Sequence, residues 1–484
     1  MSIASEIQRI QGNIADAYTS CSNKGATMPV TQDSANLSST IDTITTGGGG
    51  DTPPDWKDVN FIDYDGTLLH SYTLTELQAL TSLPSLPSHT GLTCQEWNWT
   101  LADLKTENKP MIVGATYKTS TDGTSKINIV IEDTIDKKMV LRFCNGTSGT
   151  TTTINWGDGS ANDSCTVTSA TNFTHEYSNA GNYTITLTGQ GTAKFKVAGS
   201  TGNSFFGQGT SDMWKYGKKV KSVFFGTNLG TLGNYGFHSA CNLESIVLPK
   251  TATITGSSLF YNCYSLKSVV FPSGVTGLAT SCFYYCRGLE YISIPKTVTS
   301  TANNTFRDCT SLKVVTLPNS VTTMGSYFCS NTYTLKQATM SNSVTALPQY
   351  CFYNCYALRK VKLSTGATSS STYCVNSPYA LTELTVPSGL TVIPNNFITD
   401  SYSLESITFL GKVTSIGNTF LTNAYGLLKI DFTHCTSVPT LGTSILSNVS
   451  SNYKIVVPDS LYSTWTTTSG WSTYASHIVK ESEA

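Results

Sequence analysis

The sequence predicts a mainly β chain, with a helical segment at its start, a β-sandwich in its middle and a long solenoid at its end. Three observations carry that reading. An apolar residue recurs every 23 positions at Val220, Leu243, Leu266, Leu289, Leu312, Leu335, Leu358, Leu381, Leu404 and Leu427, and a fixed period of this size marks coils that bury their apolar side only against neighbouring coils. Between about 125 and 197 the pattern alternates with period two, as half-buried strands do. Only 13% of residues are charged and the net charge is −1, so no basic stripe exists to displace counterions and nucleic acid is not expected as a partner.

At the start, Ile3, Ile7, Ile10, Ile14, Ala17 and Cys21 recur at spacings of four and three, one apolar seam along a helix. Isoleucine at both seam positions points to three strands, hence a homotrimer; a helix packed on its own domain is the equal alternative. Leu37, Ile41 and Ile44 repeat the helical pattern, and the glycines at 47–50 form a flexible linker. Residues 1–50 are thus a helical attachment or oligomerisation segment. The stretch that begins SIASEIQRIQGNIADAY and runs to about residue 46 resembles N-terminal segments of phage tail fibre and baseplate-associated proteins. That resemblance implies phage tail or baseplate proteins as partners and a place in the virion tail. Neither a secretory signal nor a membrane span is expected, which implies assembly in the host cytoplasm.

Residues 51–120 read as a small α+β domain. Thr73-Leu74-Thr75-Glu76 is a capping box opening a helix through Leu77 and Leu80, and a second helix is expected near Leu101 and Leu104. Val59 to Leu68 resembles the first motif of haloacid-dehalogenase phosphatases, D-x-D-G-T, which implies Asp63 as nucleophile and Asp65 as acid/base. Asp158 and Asp163 mimic a later acidic motif. The rest of the chain lacks the alternating strands and helices of that fold, so Asp63 to Thr67 is expected to form a hairpin turn between strands 59–62 and 68–72. No catalytic residue and no cofactor is assigned.

Residues 121–200 form the expected sandwich, with Ile127, Ile129 and Ile131, then Met139, Leu141 and Phe143, then Ile154 and Trp156, then Tyr183, Ile185 and Leu187, then Phe195 and Val197 facing inwards. Trp156-Gly157-Asp158-Gly159-Ser160, followed by His175, Tyr177, Gly181, Tyr183 and Ile185, resembles the signatures of the polycystic-kidney-disease (PKD) domain, an extracellular spacer or binding module. Asp158 and His175 read as turn and packing residues, and no metal ligand set is visible, since calcium needs six or more oxygens.

Residues 201–449 carry about ten coils reading L-x-x-V-x-F, with Val223, Ile246, Val269 and Ile292 in the second apolar series and Phe225, Leu248, Phe271 and Ile294 in the third. Pro249, Pro272, Pro295, Pro318 and Pro387 end the strand and start a turn. A second apolar anchor (Phe237, Phe260, Phe283, Phe306) closes each coil. The unit, as in FYNCYSLKSVVFPSGVTGL, resembles the BspA-like leucine-rich repeat, a family of bacterial surfaces and phage tails. Residues 450–484 leave the period and resemble that family's C-terminal cap, with Trp465, Trp471 and Ile478 available to cover the last core. Most of the 14 cysteines occupy recurring coil positions and are expected as reduced, buried thiols.

With no catalytic motif in the chain, function is expected on a surface. Residues alternating with the buried ones point off the sheet: Tyr291, Val314, Thr316, Gln337, Thr339, Lys360, Lys362, Glu383 and Thr385 are the candidate binding residues of that face. A tyrosine line (Tyr333, Tyr356, Tyr379, Tyr402, Tyr425) offers a second surface, with a packing ladder as its alternative reading. The functional expectation is a phage tail protein that recognises a host surface glycan or protein through the solenoid; the alternative is a bacterial cell-surface leucine-rich-repeat adhesin.

Overall fold

A computed structural model describes residues 56–484 except 122, 133–135 and 198–202. The expected helical seam, linker, trimer and attachment function of residues 1–50 lie outside the described residues. Lys57–Ala484 forms one compact unit.

Its first layer is a four-stranded sheet. Strand β1 (Val59–Ile62) pairs antiparallel with β2 (Leu68–Tyr72) and parallel with the long β4 (Met111–Thr119), which also pairs antiparallel with β3 (Leu92–Trp97). Residues 63–67 form the tight turn expected of Asp-Gly, with the Asp63 N–H donating to Thr67 O at 2.8 Å. Helices α1 (Leu74–Ala79) and α2 (Leu101–Glu107) lie where the sequence expects them, and Thr73 and Glu76 close the capping box. Leu77 and Leu104 join Val59, Phe61, Trp97, Met111 and Val113 in one core on the helix side. The other face is buried as well: Ile62, Ile112 and Thr116 are all 5% exposed or less. A strand buried on both faces needs a second covering layer, and the solenoid is that layer.

The middle of the chain folds as two facing sheets built from β5 (Thr124–Ile131), β6 (Lys138–Asn145), β7 (Thr152–Asn155), β8 (Asp163–Cys165), β9 (Thr171–Glu176), β10 (Gly181–Gly189) and β11 (Phe195–Val197). The short β8 and β9 lack an apolar alternation strong enough to read from sequence. After the small ribbon β12 (Asn203–Ser204) and β13 (Gly207–Gln208) and helix α3 (Thr210–Gly217), the solenoid begins at β14 (Val220–Phe224) and β15 (Leu229–Leu232). Strand β14 pairs antiparallel with β5, Val223 opposite Ile127, and β15 pairs with β11. Both sandwich sheets therefore continue into the solenoid through β16 (Ser245–Val247) and β17 (Thr253–Ile254), and the sandwich seals the first coil that would otherwise expose its core.

From there each coil lies over the next in register. Ser268↔Tyr291, Val314↔Gln337, Gln337↔Lys360, Glu383↔Ser406 and Ser406↔Lys429 are opposed in parallel ladders 23 residues apart. Every leucine of the series is fully buried. Phe237, Phe260, Phe283 and Phe306 stack at 5.2–5.6 Å along the axis, and the prolines accept the turn-closing N–H, as in Val275 to Pro272 at 3.2 Å. On the turn side each coil carries two left-handed residues four apart, such as Ser258 and Asn262, Asn304 and Asp308, Asn396 and Asp400, with φ between 51° and 62°. Asn and Asp tolerate this region better than other side-chain-bearing residues. They also bond to one another between coils: Asn331 Nδ2 donates to Asp308 Oδ1 and Asn354 Nδ2 to Asn331 Oδ1, each at 3.0 Å.

The cysteine positions follow the same logic. The buried thiols of Cys263, Cys286, Cys309 and Cys355 each donate to a carbonyl 26 residues earlier, at 2.9–3.2 Å, and Thr332 places its hydroxyl at the same bond. A small weak donor suits the site, so size alone does not explain cysteine there. The C-terminal segment differs from the sequence expectation in one respect. Its period slips by two residues, Ile430 facing Ile455, and then resumes with Ile455 facing Ile478. Two more strands thus extend the sheet. Trp465 and Trp471, both buried, close on Phe432 at 5.1 and 5.6 Å, and Ile478 enters as a strand residue.

Candidate binding face

The sheet of the solenoid has two unlike halves. Over its first coils it carries Phe224, Val247, Ser268, Val270, Tyr291, Ser293, Val314, Thr316 and Thr339 at the outward positions, and the β1–β4 layer sits on them. Ser268 Oγ donates to Tyr64 O at 2.8 Å, Asn98 Nδ2 to Phe271 O at 2.9 Å, Ser293 Oγ to Ile112 O at 2.7 Å and Trp99 Nε1 to Ile294 O at 3.0 Å. Gly114 lies so close to Val270 that a Cβ there would stand 2.4 Å from a Val270 methyl. At the far end, Lys109 and Glu107 form a buried pair 3.0 Å apart. Lys109 Nζ also donates to Leu317 O at 2.7 Å, and both Glu107 oxygens accept from the Asn319 N–H. Burial holds the Lys109 ammonium below its ordinary pKa despite the carboxylate beside it.

Four of the candidate residues are therefore corrected. Tyr291, Val314, Thr316 and Thr339 are 4–9% exposed, because the chain's own residues 57–119 occupy the face they were expected to offer. Gln337 is half-buried. Lys360, Lys362, Glu383 and Thr385 are exposed and begin the open half; Ser406, Thr408 and Lys429 continue it, with Lys429 paired to Asp431 at 2.9 Å.

Tyr333, Tyr356, Tyr379, Tyr402 and Tyr425 stack face to face at 4.5–5.6 Å with interplanar angles of 6–25°. Each ring covers the face of the next, which is the packing-ladder geometry. Partners there meet ring edges and hydroxyls, except at the ends, where Tyr333 and Tyr425 are 41% and 59% exposed. Burial, with Tyr356 and Tyr402 beside it, raises the Tyr379 phenol well above its ordinary pKa. A second column, Tyr327, Tyr350 and Tyr373, stacks at 4.8 and 5.1 Å, with the Arg307 guanidinium 5.0 Å from the Tyr327 ring. The sequence expectation omits this column although its 23-residue spacing is plain.

Asp63, Asp158 and His175 each engage in local hydrogen bonds. Asp63 is buried in its turn and bonded to His89 at 2.6 Å. Asp158 accepts from Ser160 and meets His175 at 2.7 Å, while His175 stacks on Trp156 at 4.9 Å. Burial opposes the Asp158 charge, but the bonds from Ser160 and His175 outweigh it and hold its pKa at about 2. The groups of acidic, cysteine and histidine side chains among the described residues include none arranged to hold a metal.

No curated protein matches the chain. Residues 230–359 and 331–453 match the BspA type leucine rich repeat region, in six copies. Among solved structures, a leucine-rich repeat protein from Bacteroides ovatus is similar at 21% identity over 43% of this chain and 71% of that one, TM-score 0.23. A leucine rich cell surface protein from Faecalibacterium prausnitzii is similar at 16% identity over 52% and 90%, TM-score 0.24, and the pneumococcal vaccine antigen PcpA at 14% over 59% and 82%, TM-score 0.30. The ladder of coils and the matched repeats agree: residues 230–453 carry BspA-type leucine-rich repeats wound as a β-solenoid.

Proposed function

We propose that the protein is a non-catalytic recognition protein of the bacterial cell-surface type, an adhesin that holds a glycan or protein of another surface on the open half of its sheet. The observation that carries this reading is the switch at Lys360. Up to Thr316 the outward positions are apolar or hydroxylated and covered from within the chain, the half-buried Gln337 beside the buried Thr339 marks the boundary, and from Lys360 and Lys362 onward the sheet is charged, exposed and continuous with Glu383 and Thr385. A rigid parallel ladder presents these side chains in fixed register, and charges so placed set partner choice and encounter rate. The resemblance of residues 121–200 to PKD domains fits a spacer that also closes the solenoid.

The test is attachment of purified protein to target cells. Lys360→Glu with Lys362→Glu lowers attachment by about tenfold or more and leaves the unfolding midpoint unchanged; unchanged attachment refutes the sheet-face reading. A second reading, a phage tail protein that binds a host surface by the same face, draws on the likeness of residues 1–46 to tail-fibre segments. Gold-labelled antibody separates them: label on bacterial envelopes supports the adhesin, and label on virion tails the phage protein.

A further inference from the structure

A cleft of about 370 Å³ opens where the three parts of the fold meet, lined among others by Tyr64 and His89 of the first layer, Lys126, Asn128 and Thr184 of the sandwich and Phe224 of the first coil. It lies within the size range of small-molecule sites, which favour junctions between structural units. The lining holds rings (Tyr64, Phe224, His89), an amide, hydroxyls, one ammonium and no carboxylate. Its geometry is supported from behind. Asp63, with its side chain 5% exposed, fixes His89 through a 2.6 Å bond, and Tyr64 and Tyr117 meet the His89 ring edge to face at 5.6 and 5.5 Å. Asn128 is held by Ser222, which accepts at 2.8 Å, and by Thr184, which donates at 2.8 Å.

We propose that this cleft binds an acidic monosaccharide unit, free or at the end of a glycan chain. A pyranose presents an apolar C–H face and a belt of hydroxyls, which matches rings beside an amide and threonines, and Lys126 supplies the cation for a carboxylate. The cleft lies at the sandwich end of the molecule, so the inference stands apart from the open-sheet reading and adds a second, small-ligand site.

The test titrates the full chain with D-glucuronate, D-glucose and inorganic phosphate, using ligand-observed NMR. Glucuronate binds about tenfold more tightly than glucose, the worth of one charge-assisted bond. Lys126→Gln removes that difference, and His89→Ala weakens both sugars while thermal unfolding shows both variants folded. Three results overturn the proposal: no saturable binding of either sugar, binding unaffected by both variants, or phosphate competing as well as glucuronate. Lys360→Glu with Lys362→Glu leaves glucuronate binding intact, so failure here and failure of the sheet-face reading are told apart.

Discussion

Replacing Gly114 with alanine tests the docking of residues 57–119 on the solenoid. The new Cβ would stand 2.4 and 2.5 Å from the two Val270 methyls and 2.9 Å from the Val270 Cβ. Val270 is 4% exposed and belongs to a strand held in a parallel ladder, so it cannot swing aside, and the layer must lift. Overpacking of this kind costs about 1–3 kcal/mol. Val270→Ala alone removes two buried methyls and costs about 2 kcal/mol. In the double variant the offending methyls are gone and only the 2.9 Å contact remains. The pair is therefore predicted to be less destabilising than the sum of the singles by about 1–2 kcal/mol. Urea unfolding followed by tryptophan fluorescence reads the cycle, since Trp99 donates to Ile294 O across the same junction. Additivity of the two changes within about 0.5 kcal/mol would mean that the side chains do not meet, and the docking would be refuted.

Four further outcomes rest on contacts of the same kind. Glu107→Gln leaves the buried Lys109 charge without its carboxylate and lowers stability by about 3 kcal/mol in equilibrium unfolding. Asp158→Asn is destabilising at neutral pH, and because the folded carboxyl titrates at about 2, below its unfolded value, the gap from wild type persists above about pH 4 and closes as pH falls towards 2. His238, whose pKa burial lowers to about 4, makes the reverse contribution of a neutral group: stability present above the unfolded value is lost as pH falls through the window from 6.5 to about 4, and His238→Gln flattens that fall in pH-dependent melts. Tyr379→Ala breaks two ring stacks and costs about 2–3 kcal/mol, while Tyr379→Phe is nearly neutral in stability, as a packing ladder requires.

The solenoid is legible because one solution is written many times: each coil meets copies of itself, so the leucine, valine and proline registers repeat and local pattern equals tertiary contact. The hairpin at Asp63 and the capping box at Thr73 are legible for the opposite reason, since their chemistry closes within a few residues. Contacts between these two scales are not. Asn98 meets Ser293 across 195 positions, with no period to announce it. The one trace is compositional: outward positions run from Phe224, Val247, Val270, Tyr291 and Val314 to Lys360, Lys362 and Glu383, and the apolar stretch is the footprint of residues 57–119. Assuming exposure for the whole sheet turns that footprint into part of a binding face. The paired left-handed residues and the thiol-to-carbonyl bonds are present as spacings of four and 26, but Asn, Ser and Cys at those positions suggest turns and small core residues before they suggest ladders.

Hydroxyl-radical footprinting of the intact protein, with residue-level mass spectrometry, tests the division of the sheet most directly. Tyr291, 7% exposed under the first layer, is predicted to resist oxidation, while Tyr425, 59% exposed at the end of the tyrosine ladder, reacts readily and serves as the exposed reference. Oxidation of Tyr291 at a rate matching that of Tyr425 would show the face uncovered along its whole length and contradict the account.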